Sequence, residues 1–405
     1  MSDPHIPTRV LIVAGERSGD LFGAELAAAL EAEAGGLEIF GCGGEAMRRA
    51  GVETVADLGD FAMVGIAEVA GGLPRARRAF HAILAEVDRR RPSVAVLIDS
   101  PSLNLRLAKR LRPRGIRVVY YVSPQIWAWK KWRLRHLRRR VDKMLCLFDF
   151  EEEIYRRAGI PVEYVGHPLV DRPEITGPGL ERPDFFAQAR LGPAVPLVAI
   201  LPGSREIEVA YNLPPIVQAA RELAGRRPVQ FALPLAPTLE PAFTEAKLRA
   251  SGAEDGLIRL LAALPAVVQA GVTHDALRHA HAAVVASGTA TLEAALLNCP
   301  MVVVYRVARL TAFFARFMVD VPFYSMVNLL AGRRVVPELI QQDFTGEGLT
   351  AALERLLDHP EVREKMVADF RTVRARLGPG GAAQRAARAV ASMVSGARAP
   401  ALAGA

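Results

Sequence analysis

The sequence predicts an α/β protein built from two doubly wound parallel units with a cleft between them. Short continuous apolar runs alternate with helical segments, which is typical of parallel strands covered on both faces. This pattern stops at the Pro- and Gly-rich segment 171–196 and then starts again. The length of 405 residues also exceeds what one ordinary hydrophobic core fills. We therefore expect two successive units rather than one.

Apolar runs predict the strands of each half in turn. In the first half they are Arg9–Ala14, Leu37–Phe40, Val94–Ile98, Val118–Val122 and Lys143–Cys146, with helices over 20–34 and 103–111. Gly41, Gly43 and Gly44 are expected to end the second strand. In the second half they are Leu197–Leu201, Val229–Ala232, Ala282–Ala286 and Met301–Val304. The predicted domains are 1–170 and 197–355, joined by a linker over 171–196. A helical tail over 356–405 is expected to pack toward the N-terminal domain or a partner subunit.

Charge and composition restrict the classes of partner. The net charge of +8 favours anionic partners, either nucleic acid, an acidic membrane surface or phosphorylated substrates. Three dispersed cysteines form neither a disulfide framework nor a zinc cluster, which fits a reducing cytosol. We see no signal segment and no uncharged apolar run long enough to span a bilayer. Any membrane contact is therefore expected to be peripheral.

Two loops of the first half follow predicted strands, where doubly wound sheets bind ligands. The loop after Arg9–Ala14 carries Glu16 and Ser18, and Asp20 or Ser18 is alternatively a helix cap. Asp99 directly follows Val94–Ile98. A carboxylate in this position is placed to act as a general base toward a hydroxyl. The alternative is that Asp99 caps the next helix, which has Pro101 near its start.

The second half carries two loops suited to a nucleotide diphosphate. After Leu197–Leu201, Gly203 and Ser204 permit close backbone approach and Arg205 can bind phosphate, although an ion pair with Glu206 is the alternative. After Ala282–Ala286, Ser287, Gly288 and Thr289 lead into a helix whose N–H groups attract anions. Glu293 on that helix can accept hydrogen bonds from ribose hydroxyls. Asn328, within an apolar segment, is expected either to bind a ligand or to cap a helix.

Two further segments combine apolar and cationic residues. An apolar loop over 63–73 is followed by arginines, and the predicted bilayer contacts are Val64, Ile66, Val69, Leu73, Arg75, Arg77 and Arg78. Core packing is the alternative for this loop. Segment 127–140 interleaves Trp with Lys and Arg, which suits nucleic acid, an anionic bilayer or an ordinary solvated helix.

A linked set of motifs occurs along the chain in this order: AGERSGDLFG, GCGGEAM, MVGIAEV, DSPSLNLRLAKRLR, YYVSPQIWAWKKWR, VGHPLVD, LPGSREIEV and ASGTATLEAAL. The set and its order resemble the lipid A disaccharide synthase family. The resemblance covers most of the chain, from about residue 8 to about residue 345. It implies a GT-B glycosyltransferase with a cleft between two Rossmann-like domains. The implied reaction transfers 2,3-diacylglucosamine from UDP-2,3-diacylglucosamine to lipid X, its 1-phosphate, with inversion, at the cytoplasmic face of the inner membrane.

The resemblance also implies residue roles. Asp99 would be the base, with Glu16 assisting it or replacing it, and Ser18 and Asn328 would bind substrate. Arg205, Ser287, Gly288 and Thr289 would hold the diphosphate, and Glu293 the ribose. No metal or other cofactor is expected, since the nucleotide half has no DxD-type acidic pair. Acyl-chain length, formation of a homodimer, a swapped tail and the choice of membrane segment stay open.

Three alternatives remain at this stage. The first is another UDP-sugar enzyme, either a UDP-N-acetylglucosamine 2-epimerase or the transferase that forms lipid II. The second is a nucleic-acid-binding protein that uses segment 127–140, although no recognition motif accompanies that segment. The third is a membrane adaptor without catalysis, which would not need Asp99 or the diphosphate loops.

Overall fold

A computed structural model describes residues 8–62, 69–124, 133–261, 269–308 and 322–395. The chain divides into two compact units. Unit 1 comprises Met1–Pro168 with Leu377–Ala405, and unit 2 comprises Leu169–Arg376. In the described part of the chain, no helix has both the length and the apolar character needed to cross a membrane.

Unit 1 contains a seven-stranded parallel sheet in the order β3-β2-β1-β4-β5-β6-β7. Its strands are β1 (Arg9–Ala14), β2 (Glu38–Gly43), β3 (Glu53–Asp57), β4 (Val94–Ile98), β5 (Arg117–Tyr121), β6 (Lys143–Cys146) and β7 (Val162–Tyr164). Its helices are α1 (Arg17–Ala34), α2 (Glu45–Arg49), α3 (Gly59–Ala62), α4 (Val69–Arg90), α5 (Pro101–Leu111), α6 (Arg133–Arg140) and α7 (Asp149–Arg157). The central strands β1 and β4 are buried almost throughout, as their apolar sequences predict.

Unit 2 contains a six-stranded parallel sheet in the order β10-β9-β8-β11-β12-β13. Its strands are β8 (Leu197–Leu201), β9 (Gln230–Pro234), β10 (Ile258–Leu261), β11 (Ala282–Ala286), β12 (Met301–Tyr305) and β13 (Glu338–Ile340). Its helices are α8 (Pro173–Thr176), α9 (Arg182–Gln188), α10 (Glu206–Arg226), α11 (Pro241–Ala250), α12 (Gln269–His279), α13 (Ala290–Leu296), α14 (Met326–Ala331), α15 (Gly346–Asp358) and α16 (Pro360–Arg376). The prediction of two parallel sheets flanked by helices is confirmed.

Two predicted element ends are wrong by three residues. Strand β2 runs on to Gly43, whereas glycines were expected to stop it after Phe40. Gly41 pairs with Ile12 of β1, and a Cβ at Gly41 would collide with the Ile12 carbonyl, so this glycine permits close approach inside the sheet. The first helix begins at Arg17, three residues before the predicted start.

The boundary between the units differs from the predicted linker. Residues 171–196 lie in unit 2 and contain α8 and α9. They are held there by polar contacts, since Leu180 N–H donates to Asp275 (3.1 Å) and Gln230 Nε2 donates to the Gly192 carbonyl (2.7 Å). Of the expected tail, α16 lies in unit 2. The last described helix, α17 (Ala382–Ser395), packs on α1 in unit 1.

Both sheets reverse their strand order at one point. In unit 1, β2 and β3 lie on one side of β1, and β4 to β7 lie on its other side. The reversal of strand order therefore falls between β1 and β4. In unit 2 the equivalent pair is β8 and β11. Loops that leave such a pair at its carboxyl end diverge to opposite faces and open a crevice. Each unit therefore offers one site where side chains can meet a ligand.

Candidate functional site

The reversal point of unit 1 brings together the loops that carry Glu16 and Asp99. Ala14 at the end of β1 pairs with Ile98 at the end of β4. The next residues touch closely, since a Cβ added at Gly15 would lie 2.6 Å from Ser100 Oγ. Only a residue without a side chain fits between the two loops at this level. The structure thus places the two predicted carboxylates on adjacent loops.

Asp99 sits on a strained turn. Asp99 and Ser100 have φ values of +46° and +40°, a left-handed conformation that costs a residue with a Cβ roughly 1–2 kcal/mol. The turn begins directly after β4, where the Asp99 N–H still donates to the Tyr121 carbonyl (3.0 Å). Strain of this kind concentrates at functional sites, where the surrounding structure imposes it.

The environment of Asp99 favours its protonated form. Burial raises the pKa of the half-buried carboxyl to about 6, and the negative charge of Glu16 adds to the rise. A hydrogen bond from the Ser100 N–H opposes it. A carboxylate with this pKa can accept a proton near neutral pH, which an ordinary aspartate does poorly.

The start of α1 differs from the expected cap. Glu16 is the N-cap residue, and its exposed side chain makes no capping hydrogen bond. Ser18 is exposed in the first turn. The buried Asp20 carboxylate caps α2 instead, accepting from the N–H groups of Gly44 (2.6 Å), Ala46 (3.0 Å) and Met47 (3.1 Å). Glu16 and Ser18 are thereby free of a capping role in α1, and Asp20 is structural.

In unit 2, the loop after β8 is organised around Glu208. The carboxylate accepts from the N–H groups of Ser204 (3.0 Å) and Arg205 (3.3 Å), and its other oxygen accepts from the Arg205 guanidinium (2.9 Å). A Cβ at Gly203, whose φ is +130°, would lie 2.6 Å from the Glu208 Cβ. The partner of Arg205 is therefore Glu208 and not Glu206. The Arg205 side chain is 69% exposed, so it stays accessible to an anion.

The loop after β11 leaves backbone donors available. Ser287 N–H donates to the Val304 carbonyl (2.9 Å), which fixes the turn to β12. Gly288 has a φ of +157° and open space around it, and the N–H groups of Gly288 and Thr289 have no acceptor among the residues that the structure describes. This arrangement suits an anion at the start of a helix.

Glu293 on α13 has a partner that the sequence did not reveal. His274 Nε2 on α12 lies 3.4 Å from Glu293 Oε2, and both side chains are mostly buried. A paired carboxylate holds one orientation better than a free one. The sequence signal was weak, because His274 lies nineteen positions before Glu293 and on another helix.

The structure does not support a ligand-facing Asn328. Its side chain is fully buried, its Oδ1 accepts from the N–H groups of Val335 (2.6 Å) and Val336 (2.9 Å), and its Nδ2 donates to Glu338 (2.9 Å). The side chain turns inward because these backbone donors need an acceptor. Ser325 caps this helix through its Oγ.

Two further contacts organise the same edge of unit 2. Ser287 Oγ donates to the Tyr324 carbonyl (2.8 Å), which joins the turn after β11 to the loop before α14. After β12, the half-buried Arg306 guanidinium donates to the carbonyls of Gln341 (3.2 Å) and Phe344. No carboxylate in the described ranges forms an ion pair with it, and burial lowers its pKa. The sequence signal for Arg306 was its position, because Tyr305 and Arg306 directly follow the apolar run Met301–Val304.

The predicted membrane residues are only partly described. Val64 and Ile66 lie outside the described residues, and 69–73 form the first turns of α4 rather than a loop, because the Ala- and Arg-rich sequence that follows favours a helix. Arg75, Arg77 and Arg78 are exposed, with Arg75 paired to Asp60 (2.5 Å). In segment 127–140, residues 127–132 lie outside the described part. The remainder includes α6, which buries Leu137 and exposes Arg135, Arg138 and Arg139.

Comparison with known proteins gives the family. The model of the family described as lipid-A-disaccharide synthetase matches residues 10–391. A lipid-A-disaccharide synthase from Solibacter usitatus is 41% identical over 389 residues, covering 96% of this chain and 98% of the relative. Another from Myxococcus xanthus is 43% identical over 385 residues, covering 95% and 97%.

Solved structures show the same fold at low identity. A UDP-GlcNAc 2-epimerase from Neisseria meningitidis, bound to UDP-GlcNAc, matches with a TM-score of 0.64 at 13% identity, covering 95% of this chain and all of that one. The calicheamicin glycosyltransferase CalG4 matches with a TM-score of 0.58 at 17% identity, covering 97% and 100%. The two Rossmann-like units correspond to the GT-B fold. Together with the family match, this shows that the chain belongs to the lipid-A-disaccharide synthetase family of glycosyltransferases.

Proposed function

We propose that this enzyme transfers 2,3-diacylglucosamine from UDP-2,3-diacylglucosamine to lipid X, which is 2,3-diacylglucosamine 1-phosphate. The products are the β-1,6-linked disaccharide 1-phosphate and UDP. The observation that carries the proposal is Asp99, a carboxylate with a raised pKa at the reversal point of unit 1, within a chain that matches the family over nearly its whole length. Further support comes from the chemistry of individual residues in each unit.

Unit 1 supplies the base. Asp99 takes the proton from the acceptor 6-hydroxyl while the oxygen of that hydroxyl attacks the anomeric carbon of the donor sugar. The bond from that carbon to the diphosphate oxygen breaks, and the configuration inverts. Glu16 is exposed on the adjacent loop, where its charge strengthens the basicity of Asp99 and its oxygens can accept from sugar hydroxyls. Ser18 contributes an exposed hydroxyl in the first turn of α1.

Unit 2 holds UDP. The leaving diphosphate needs compensation of its negative charge, which donors fixed before the reaction provide efficiently. Arg205 supplies a guanidinium, and the N–H groups of Gly288 and Thr289 supply neutral donors next to Ser287. Glu293, oriented by His274, accepts from the ribose hydroxyls. Arg306 adds positive charge at the neighbouring strand end. We propose that these groups suffice without a metal ion.

The cytoplasmic face of the inner membrane is the proposed location. Both substrates carry acyl chains, so the enzyme must reach them at a bilayer. The exposed Arg75, Arg77 and Arg78 on α4 supply positive charge, and in the sequence they directly follow the apolar segment 63–73. Lysines and arginines near an anionic surface contribute roughly 1 kcal/mol each to binding.

The direct test of the reaction is an assay in detergent micelles with both substrates and EDTA. We expect the purified enzyme to release UDP and form the disaccharide 1-phosphate, detected by mass spectrometry. Asp99→Ala should lower kcat about 10²–10⁴-fold, the usual effect of losing a proton-transfer group, with unchanged affinity for UDP. UDP binding without product would contradict the proposed substrates, and loss of activity in EDTA would contradict the proposed independence of metal.

The pH dependence of the rate should report Asp99. The base works ionised, so kcat/KM is expected to fall as pH drops through about 6. Glu16→Gln removes a negative charge that favours the protonated form, so the fall should move to lower pH. Glu33→Gln makes the same change at the exposed far end of α1 and should leave the profile in place. Identical profiles for all three proteins would show that Glu16 does not act on the base.

Arg205 should matter for UDP binding. A hydrogen bond to a charged group is worth about 1.5–3 kcal/mol, so Arg205→Ala should raise the Kd for UDP roughly 10- to 100-fold. Calorimetry measures this directly. Arg249→Ala, which removes an exposed guanidinium from α11, is the matched control and should bind UDP normally. Equal affinity in both variants would remove Arg205 from the diphosphate site.

Charge reversal should distinguish a membrane-binding surface on α4 from an effect of the overall positive charge of the protein. Replacing Arg75, Arg77 and Arg78 by Glu should release the protein from phosphatidylglycerol vesicles in sedimentation. The control reverses Arg106, Lys109 and Arg110, which are exposed on α5 and carry the same charge. If the first triple variant stays on the vesicles while activity in micelles is intact, the contact lies elsewhere, with segment 127–140 as the next candidate.

A further inference from the structure

The peptide carbonyl of Asp99 accepts two hydrogen bonds from buried side chains. The Tyr120 hydroxyl donates to it at 2.5 Å, and Asn104 Nδ2 donates to it at 2.8 Å. Asn104 Nδ2 also donates to the Ile98 carbonyl at 2.9 Å. The two donors come from different elements, since Tyr120 lies on β5 and Asn104 on α5. Together they hold the point at which the chain leaves β4 and enters the left-handed turn.

Both donor side chains are completely buried, so their hydrogen bonds are made to chosen protein groups and not to bulk water. Asn104 and Tyr120 have 0% exposure. The backbone N–H of Asn104 donates to the Ser100 carbonyl (2.9 Å), so the start of α5 is tied to the same turn. Asn104 Oδ1 has no hydrogen-bond partner among the described residues. An unpaired buried acceptor is unfavourable, so an apolar residue would suit this position better unless the amide donors were needed.

We propose that Asn104 and Tyr120 are positioning residues that hold Asp99 in its left-handed turn and so place its carboxylate for proton transfer. The inference rests on the proposed role of Asp99 as the base. Left-handed backbone at two successive residues with side chains relaxes unless neighbouring groups oppose it. Relaxation of the turn would rotate the Asp99 carbonyl, which is the group that both donors bind. Relaxation would move the carboxylate without removing it.

Unit 2 has the same kind of contact, a buried asparagine that donates to a loop carbonyl, at its own reversal point. Asn212 on α10 is 1% exposed, and its Nδ2 donates to the Pro202 carbonyl at 2.8 Å, directly before Gly203. Its Oδ1 also lacks a partner in the described part of the chain. Asn212→Ala therefore removes the same kind of buried amide from the loop that carries Arg205. It is a matched control for Asn104→Ala, since it acts on the other loop.

The experiment compares five variants, one of them Asp99→Asn, with the wild type by kcat, KM, the Kd for UDP and the unfolding midpoint. Asn104→Ala should lower kcat by up to about 100-fold, the cost of a small misplacement of a reacting group, with an unchanged Kd for UDP. Tyr120→Phe should lower kcat less. Adding Ser100→Gly to Asn104→Ala should restore part of kcat, because glycine adopts the left-handed turn without strain. Asn212→Ala should instead raise the Kd for UDP.

Defined outcomes would overturn the inference. It fails if Asn104→Ala and Asn212→Ala lower kcat equally and in proportion to their loss of stability, or if Ser100→Gly restores nothing. Tyr120→Phe, which removes only one oxygen, carries the test if Asn104→Ala does not fold, and wild-type kcat in that variant then refutes the proposal. Asp99→Asn distinguishes a failure of the proposed base from a failure of the proposed positioning role. Full activity of Asp99→Asn refutes the base itself, whereas an inactive Asp99→Asn beside fully active Asn104→Ala and Tyr120→Phe refutes only the positioning role.

Discussion

Parallel strand pairing with a reversal of order constrains where this chain can place chemistry. A parallel sheet buried on both faces exposes polar groups to a ligand only at its ends. In unit 1 the reversal between β1 and β4 sets Glu16 beside Asp99, and in unit 2 the reversal between β8 and β11 sets the Arg205 loop beside the Ser287–Thr289 turn. Residues far apart in sequence meet because the strands that precede them are neighbours.

The same constraint explains what the sequence predicted well. Strands inside the sheets are apolar almost throughout, so β1, β4, β6, β8 and β11 were predicted with their exact bounds. The strands that were missed, β3, β7, β10 and β13, are the four edges of the two sheets. An edge strand has a neighbour on one side only and keeps partly exposed residues, as in Val162–Tyr164 and Glu338–Ile340. Its sequence therefore lacks the continuous apolar run on which the prediction depended.

The sequence also predicted some properties of the site residues and missed others. Their position after a strand was predictable from the sequence, because it depends on local order along the chain. Their hydrogen-bond partners were not, because these come from other elements. Asp20 caps α2 rather than its own helix, Arg205 pairs with Glu208, and Asn328 turns inward to the backbone of Val335 and Val336. A polar residue in a loop or in the first turn of a helix can face ligand or protein, and only the packing around it decides which.

The Arg205 loop shows how a site can be both ordered and available. Glu208 satisfies the Ser204 and Arg205 N–H groups, so these donors shape the loop and do not need a ligand. The guanidinium shares that carboxylate but is 69% exposed, and an exposed ion pair is worth only about 0–1 kcal/mol. Turning the guanidinium toward a diphosphate therefore costs little and leaves the loop capped. Buried contacts hold the backbone of each loop in place, as they do at Asp99, while the side chain that would meet the substrate is bound weakly enough to change partners.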